Sequence, residues 1–339
     1  MNSDTIDWEH LPLHDPLNDE AFKSIVALFP LKLTGNISDK TIFITDDGLE
    51  LVPYDSKEEG MFEAFYKYLQ DLYALPFDTM LVLNHFKAPR KENWGFELEE
   101  RSHVLSLAIR ILTSGKCFRK ASFKYSDNTK LPLYYRPFVD NDSLRSGFLG
   151  KEASVISSEE DFQKLQTLYS AIFKLKVFKY DDSFSKLLNA VRFYDRSHDA
   201  NWFLQKIVHT FVALESLFTD QSKSEITYKV SVRTAFLLHP ENSSSRNEVF
   251  DLLRIAYDVR SSFLHGSKID EARLTKRLQE LKKNDQYSLW YDLPADLNNI
   301  LSQVLGKILL SSDSLSFFSS DPNPKKESEF YNQLVLGIR

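Results

Sequence analysis

The sequence contains a single cysteine, Cys117, among 339 residues. One thiol cannot form a disulfide within the chain, and it cannot build a zinc site that needs several cysteines. Glycine is also scarce, at 10 residues, and the sequence contains neither a phosphate-binding glycine loop nor a dinucleotide-binding fingerprint. The chain therefore cannot be a disulfide-stabilised fold or a cysteine-based metal centre, and it has no common nucleotide-binding loop.

Long apolar stretches are absent as well. No apolar run approaches the ~20 residues that a membrane-spanning helix needs. The first residues, Met1–Asp7, have neither the basic stretch nor the apolar stretch of a secretion signal. We therefore expect no membrane association and a cytoplasmic location.

Positive charge is not in excess. The chain has 42 Lys and Arg against 48 Asp and Glu, a net charge of -6 and an isoelectric point near 5.8. A strongly basic chain would indicate nucleic acid binding directly. Here any contact with RNA must come from a local patch or a small site, because phosphate contacts depend on where the cations lie.

The length of the chain favours two domains. In the first half, β-branched and aromatic residues at Thr41–Thr45 and Leu49–Pro53 flank a turn sequence and predict a hairpin. The segments Phe118–Tyr125 and Leu131–Pro137 predict a second hairpin in the same way. Apolar residues at helical spacing predict three helices, at Glu20–Leu28, Phe62–Ala74 and Leu98–Leu112. A short apolar run predicts one further strand, at Met80–Leu83. We therefore predict an α+β domain over residues 1–150.

Strand patterns stop at Ser157. Apolar residues at helical spacing then predict helices at roughly 158–176, 182–196, 199–219, 224–239, 245–265, 270–283 and 293–312. We predict a helical domain over residues 157–312, joined to the first domain by a linker at 141–156. The segment 313–339 is rich in Ser, Asp, Pro and Lys, and we expect it to be a loose tail.

The segment Arg260–Gly266, with the sequence RSSFLHG, carries the residues that are suited to chemistry. The apolar stripe that predicts a helix here consists of Leu252, Leu253, Ala256, Val259, Phe263 and Leu264. Gly266 suits the left-handed position just after a helix end, so His265 lies in the last turn. A spacing of five residues leaves the Arg260 and His265 side chains ~140° apart on a straight helix. They meet easily only if the last turn loosens or if a second copy of the helix completes the site.

An arginine and a histidine together suit RNA cleavage without a metal. The 2′-hydroxyl group of the substrate is the nucleophile, so the protein needs no reactive Ser or Cys. A histidine can transfer protons near neutral pH, and an arginine can stabilise the charge that develops on the phosphate. The spacing alone is better explained by a structural role. In that role His265 caps the helix C-terminus and Arg260 pairs with a carboxylate such as Glu215.

Three blocks of sequence occur in order along the helical half: Phe211–Phe218 (FVALESLF), Tyr228–Leu238 (YKVSVRTAFLL) and Tyr257–Gly266 (YDVRSSFLHG). Together they resemble the HEPN superfamily, in particular its ApeA-like branch from bacterial anti-phage defence, over about residues 196–310. The resemblance implies a C-terminal HEPN-type helical bundle. With the α+β N-terminal domain that the strand patterns predict before it, the expected fold class is mainly α. It also implies a homodimer through the motif helix, with a composite active site at the dimer axis. The implied activity is that of an endoribonuclease that leaves a 2′,3′-cyclic phosphate and uses no metal or other cofactor.

Arg260 and His265 match the catalytic positions of the HEPN family residue by residue. The positions that we assign as supporting are Glu215, Arg233, Ser261 and Asp258. Ser261 stands where the family often has Asn, Asp or His. Glu215 and Arg233 match recurrent charged positions on the two preceding helices, and we interpret them as an ion pair or a supporting shell. A purely structural salt bridge is the alternative for these two residues.

The resemblance leads to one main hypothesis and two rivals. In the main hypothesis the chain is an abortive-infection or toxin-like endoribonuclease that cleaves RNA, with tRNA as one candidate target, and its N-terminal domain senses a phage-derived trigger. In the first rival the chain is a non-catalytic HEPN adaptor that dimerises and binds RNA or a protein partner. The second rival, a metal-dependent hydrolase, is disfavoured by the lack of clustered metal ligands in the sequence.

A basic cluster with interleaved rings lies outside the HEPN-like segment. Its cations are Arg110, Lys116, Arg119, Lys120 and Lys124. Cations beside stacking rings can hold single-stranded nucleic acid. A solvated hairpin face with its rings turned inward is the alternative interpretation.

Overall fold

The computed structural model describes part of the first 137 residues and most of the residues after 153. The described ranges are 22–29, 31–33, 42–43, 49–53, 79–84, 94–114, 118–126, 132–137, 154–178, 185–200, 202–220, 225–320 and 323–336. Within these ranges, side chains are described at Leu31, over 100–114 and from 154 onward.

The described residues divide between two compact units. The first unit comprises Met1–His103, Cys117–Val139 and Val155–Ser158, and the second comprises Val104–Lys116, Asp140–Ser154 and Glu159–Arg339. Residues 104–116, which precede the domain boundary expected from the sequence, therefore belong to the second unit.

The first unit contains a six-stranded sheet with the order β3-β4-β5-β1-β6-β7. The strands are β1 (Phe22–Phe29), β3 (Ile42–Phe43), β4 (Leu49–Pro53), β5 (Thr79–Asn84), β6 (Phe118–Ser126) and β7 (Pro132–Pro137). Each neighbouring pair is antiparallel, and the pairs β3–β4 and β6–β7 are the two hairpins that the sequence predicts. Two short strands, β2 (Leu31–Leu33) and β8 (Ser154–Ile156), form a separate two-stranded sheet.

The predicted helix at Glu20–Leu28 is wrong, because this segment is the strand β1. Strand β1 lies between β5 and β6, and Ile25 pairs with Val82 on one side and with Phe123 on the other. Backbone hydrogen bonds to two neighbouring strands outweigh a weak local preference for helix. The predicted helix Phe62–Ala74 lies outside the described residues, and the α+β character of the whole N-terminal domain remains a prediction.

The described part of the chain is mainly α. Its ten helices are α1 (Trp94–Thr113), α2 (Glu159–Lys174), α3 (Lys186–Asp199), α4 (Phe203–Phe218), α5 (Ile226–Leu238), α6 (Ser243–Leu264), α7 (Glu271–Lys282), α8 (Asp292–Leu310), α9 (Ser312–Ser319) and α10 (Pro324–Leu336). The helices α2 to α8 confirm the seven that apolar spacing predicts after residue 157. Polar residues begin three of them, since Ser185, Asn242 and Asp270 each accept a hydrogen bond from a backbone N–H in the first turn of α3, α6 and α7.

The core of the second unit lies around α4 and α8. Both helices bury long apolar stripes; the larger members are Ile207, Phe211, Leu214, Leu217 and Phe218 on α4, and Leu297, Leu301, Val304, Leu305 and Ile308 on α8. The C-terminal half of α1 packs against α8, where the Ser302 hydroxyl donates to the carbonyl oxygens of Arg110 and Ile111. Helix α4 carries Glu215, so this core fixes the element that bears one of the predicted site residues.

The expected loose tail over 313–339 is wrong for the residues that the structure describes there, because they form the helices α9 and α10. Four rings on these helices pack together, with the Phe317 and Phe330 rings stacked at 3.8 Å and Phe318 and Tyr331 against them. Phe318 also packs edge-to-face on Phe218 of α4. Burial of these rings outweighs the polar composition that suggests disorder.

Candidate functional site

The helix α6 carries the RSSFLHG motif at its C-terminal end. Its buried stripe includes Leu252, Leu253, Ala256 and Val259, as the sequence predicts. The stripe ends there, because Phe263 is only partly buried and Leu264 is 51% exposed. The last turn of α6 therefore projects beyond the core and presents its motif residues to solvent.

The end of α6 is closed by a Schellman turn, which confirms the predicted role of Gly266. Gly266 has a φ of 65°, its N–H donates to the carbonyl of Phe263, and the N–H of Ser267 donates to the carbonyl of Ser262. His265 is the C-cap residue, and its backbone N–H donates to the carbonyl of Ser261 at 3.1 Å. The backbone that carries His265 is therefore fixed by three hydrogen bonds.

Arg260 pairs with Glu215, a residue of α4. The Nη2 atom of Arg260 donates to the Oε2 atom of Glu215 at 2.9 Å, and the two side chains are 19% and 18% exposed. The guanidinium group also lies over the ring of Tyr257, 5.7 Å from its centre. The Nε atom of Arg260 is buried and has no hydrogen-bond partner among the described residues. The guanidinium group is thus held by its hydrogen bond to Glu215, and its Nε–H has no partner among the described residues.

Burial raises the pKa of Glu215 above its ordinary value, and the charge of Arg260 opposes this shift only in part. A partly buried carboxylate with a perturbed pKa beside an arginine is typical of functional sites, although structural ion pairs show the same pattern. The arrangement can serve either to hold the Arg260 guanidinium in place or to neutralise it.

The structure does not bring Arg260 and His265 together within one chain. The His265 side chain is exposed, and it has no hydrogen bond or ion pair with any described residue. Arg260, about one turn earlier, points instead toward α4 and Glu215. This divergence follows from the five-residue spacing on a regular helix. The described chain therefore holds the two halves of the expected site apart.

Arg233 does not pair with Glu215. Its Nη2 atom donates to Asp220 at 2.8 Å, its Nη1 atom donates to the carbonyl of Phe218, and its guanidinium group lies 3.8 Å from the centre of the Tyr331 ring. Burial works against ionisation of Asp220, but hydrogen bonds from Arg233 and Lys229 outweigh it and lower the pKa of Asp220. Arg233 therefore joins the end of α4 to α10, at a different place from the Arg260–Glu215 pair.

The two remaining supporting positions have separate partners. Asp258 accepts a hydrogen bond from Arg277 of α7 at 3.1 Å, and both side chains are more than a third exposed. The backbone carbonyl of Ser261 accepts the N–H of His265. Asp258 thus links α6 to α7, and Ser261 contributes to the site through its backbone.

The basic cluster around Arg110 is only partly described. Arg110 itself is buried, and its Nη1 atom lies 3.5 Å from the carboxylate of Asp195. A buried arginine that already faces a carboxylate cannot serve as a surface contact to RNA. The side chains of the other four cations lie outside the described residues.

A cavity of about 220 Å³ lies elsewhere in the second unit, between α5, α6, α7 and α8. Lys282 lines it and bridges the carboxylates of Glu248 and Asp296 at 2.7 and 2.8 Å. Burial lowers the pKa of Lys282, but hydrogen bonds to these carboxylates outweigh it and raise the pKa overall. The lining contains none of the predicted site residues.

Three residues of the second unit that bear on the candidate site were not predicted from the sequence. Asp220, the true partner of Arg233, has no local signal, since its position depends on how α4 and α5 are connected. Trp202 and Tyr291 occupy the positions just before α4 and α8, and neither side chain makes a capping hydrogen bond. Such positions usually hold Ser, Thr, Asp or Asn, so aromatic residues there could have been noticed.

Comparisons with known proteins return no match: no family model, no curated protein and no solved structure matches the chain. Among the described residues, no group of three or more His, Cys, Asp or Glu side chains could hold a metal ion. In that same part of the chain, no helix has the length and apolar character needed to cross a membrane.

Proposed function

We propose that the chain is a HEPN-type endoribonuclease in which Arg260 binds the scissile phosphate and His265 transfers protons. The observation that carries the proposal is the state of His265. Its side chain is exposed, it lacks a hydrogen-bond partner among the described residues, and its backbone is fixed by the turn at Gly266. An exposed imidazole that no protein group occupies is accessible to a substrate and can transfer protons near neutral pH.

The order of the three sequence blocks supports the proposal. They lie on the consecutive helices α4, α5 and α6, and Glu215 of the first block contacts Arg260 of the third. An arginine with a planar fork of donors suits a phosphate with two free oxygens, and such contacts are short and strong. Glu215 holds that fork at the base of the exposed last turn.

The proposed reaction needs no group beyond the RNA, these side chains and water. The 2′-oxygen of the substrate attacks the adjacent phosphorus atom while a His265 imidazole accepts the hydroxyl proton. The bond from phosphorus to the 5′-oxygen breaks, and that oxygen receives a proton from water. The products are a 2′,3′-cyclic phosphate and a 5′-hydroxyl end. Arg260 stabilises the negative charge on the phosphate oxygens in the transition state.

A homodimer through the last turn of α6 is part of the proposal. One chain holds Arg260 and His265 on diverging faces, so a complete site requires residues from two copies. A two-fold axis near the end of α6 would place Arg260 of one copy near His265 of the other, and it would create two equivalent sites.

The direct test is RNA cleavage by purified protein in the presence of EDTA. We expect wild-type protein to cleave RNA and leave cyclic phosphate ends, and we expect His265→Ala and Arg260→Ala to abolish cleavage without unfolding the chain. Tyr228→Ala, which removes an exposed ring on α5, serves as a control that keeps the activity. Undiminished cleavage by well-purified His265→Ala protein would refute the assignment.

One observation favours a second candidate, a non-catalytic HEPN adaptor that dimerises and binds RNA or a protein partner. Arg260 is already paired with Glu215, and a phosphate must compete with that carboxylate for the guanidinium group. In the adaptor, this pair serves only to pack α6 against α4. Binding of RNA or of a partner protein without cleavage, unchanged by His265→Ala, is the result that this candidate predicts.

The biological setting is proposed from the same resemblance. The cleaved RNA would be cellular RNA such as tRNA, and the activity would act in anti-phage defence as a toxin or by abortive infection. The N-terminal domain would sense a phage-derived trigger. Expression of wild-type and His265→Ala protein in cells, followed by sequencing of RNA ends, tests activity and target together.

A further inference from the structure

Two exposed aromatic residues stand at helix starts in the second unit, and one of them contacts the end of the motif helix. Trp202 is 57% exposed and Tyr291 is 68% exposed, and both precede the first turn of a helix, α4 or α8. Leu264, inside the motif itself, is also exposed. Exposed apolar side chains that form a contiguous patch mark interaction sites.

The exposed rings rest on rings that are better shielded. Trp202 meets Phe263 edge-to-face, with ring centres 6.1 Å apart, and Tyr291 meets Phe203 in the same way at 4.8 Å. Trp202 and Phe203 are consecutive, so the two ring pairs are adjacent along the chain, and we call these four residues the aromatic ledge: Trp202, Phe203, Phe263 and Tyr291. Phe263 lies two residues before His265, so one ring pair is attached to the turn of backbone that carries the candidate catalytic histidine.

The fold does not account for the identity of the exposed rings. Neither Trp202 nor Tyr291 gives its helix a capping hydrogen bond, which is the usual contribution of a residue at that position. Each ring leaves more than half of its surface in water, so its burial contributes less than that of a core aromatic residue. The edge-to-face contacts hold the rings in fixed orientations, with surface left for a ligand.

The charges near the ledge suit a phosphate backbone. Lys268 is exposed three residues after His265. Two carboxylates on neighbouring elements are already hydrogen bonded. Glu271 accepts from the indole N–H of Trp290, and Asp292 accepts from the backbone N–H of Ser288. Cations beside exposed rings are the combination that binds single-stranded nucleic acid.

We propose that the aromatic ledge stacks unpaired bases of single-stranded RNA and thereby delivers a phosphate of that strand to His265. The inference rests on the proposed function and specifies its substrate as RNA with unpaired bases. A duplex fits poorly, because its bases stack on one another and cannot spread over protein rings. Loops and single-stranded stretches present the bases that the ledge can receive.

Binding can be measured apart from cleavage with full-length His265→Ala protein and a fluorescein-labelled 12-nucleotide single-stranded RNA. We expect Trp202→Ala and Tyr291→Ala, each added to this background, to weaken binding about fivefold or more, since a stacked base depends strongly on its ring. Trp202→Phe should restore most of the affinity, whereas Trp202→Leu should not, because leucine keeps apolar area but has no π face. Tyr228→Ala is the matched control, since Tyr228 is also 57% exposed and also meets a phenylalanine edge-to-face.

Three results would overturn the inference. The first is RNA affinity that survives both alanine substitutions, and the second is equal affinity for a duplex of the same sequence. The third is a ring variant that changes the oligomeric state in sedimentation while RNA binding persists, which would make the ledge a protein interface. A different outcome separates the two proposals. If RNA binding depends on the rings but wild-type protein never cleaves RNA, the ledge is supported and the proposed nuclease activity is rejected. Thermal unfolding of each variant checks that the fold is intact.

Discussion

At the scale of single residues, the Arg260–Glu215 pair decides how the site is interpreted. The two side chains are neither fully buried nor free in solvent, so their attraction is opposed by the cost of removing them from water. The raised pKa of Glu215 means that, for this carboxylate, the desolvation cost prevails even with Arg260 present. The pair is therefore compatible both with support of the Arg260 guanidinium and with a structural contact between α4 and α6.

This imbalance predicts a pH dependence that Glu215→Gln should remove. Because the folded-state pKa of Glu215 lies above its ordinary value, the folded chain holds this proton more tightly than the unfolded chain does. The stability that this bound proton adds to the folded chain is fully present below the pKa that Glu215 has in the unfolded chain. It is lost as the pH rises through the pKa of Glu215 in the folded chain. In urea denaturation from about pH 4 to about pH 7, wild-type protein should therefore lose stability relative to Glu215→Gln as the pH rises.

Asp258→Asn is the control for that series. It removes the carboxylate of a pair that is largely exposed, which contributes little to stability, so its free energy of unfolding should follow that of wild type. The difference in free energy of unfolding between wild type and Glu215→Gln should change with pH in this direction. A difference that stays constant with pH, or that changes in the opposite direction, would contradict this interpretation of the pair.

At the scale of helices, local rules explain the motif helix and do not explain its partners. The apolar spacing and Gly266 act within one segment, so the course and the end of α6 could be predicted from the sequence. The partner of Arg260 is Glu215, the carboxylate that the structural interpretation of the motif names. The partner of Arg233 could not be predicted, because which carboxylate an arginine reaches depends on how the helices cross, and Arg233 reaches Asp220 just after α4 instead of Glu215.

The helices α9 and α10 could not be predicted for a related reason. Their rings are separated along the chain by Ser, Asp and Pro residues, and they form a cluster only after both helices fold onto α4. Tyr331 completes this contact, since its hydroxyl donates to the carbonyl of Leu217 and its ring lies against Arg233. Burial raises the pKa of Tyr331, so the hydroxyl stays protonated as a donor at neutral pH.

Tyr331→Ala should therefore destabilise the helical unit by about 3–5 kcal/mol, as expected for the loss of a large buried ring. Tyr331→Phe keeps the ring and loses only the hydroxyl hydrogen bond, so its cost should be about 1 kcal/mol. Leu336→Ala on the same helix, at a position 68% exposed, should change the free energy of unfolding by less than about 0.5 kcal/mol. Urea denaturation measures all three, and equal effects for Tyr331→Ala and Leu336→Ala would mean that α10 does not pack as described.

At the scale of the whole molecule, the proposed site is complete only in a dimer. The divergence of Arg260 and His265 follows from their five-residue spacing at the end of α6, where His265 is the C-cap residue. If the site is composite, Arg260 of one copy acts with His265 of the other. Two variants that are each inactive must then complement each other, because each supplies what the other lacks.

Mixing Arg260→Ala protein with His265→Ala protein tests this directly. After subunit exchange about half of the dimers contain one copy of each variant, and each mixed dimer has one intact composite site and one doubly damaged site. We expect about a quarter of wild-type cleavage activity from the mixture and none from either variant alone. As a control, the double variant Arg260→Ala/His265→Ala mixed with either single variant should stay inactive, since no intact site can form. A site built within one chain leaves every mixed dimer inactive, so the absence of complementation with confirmed subunit exchange would reject the composite site.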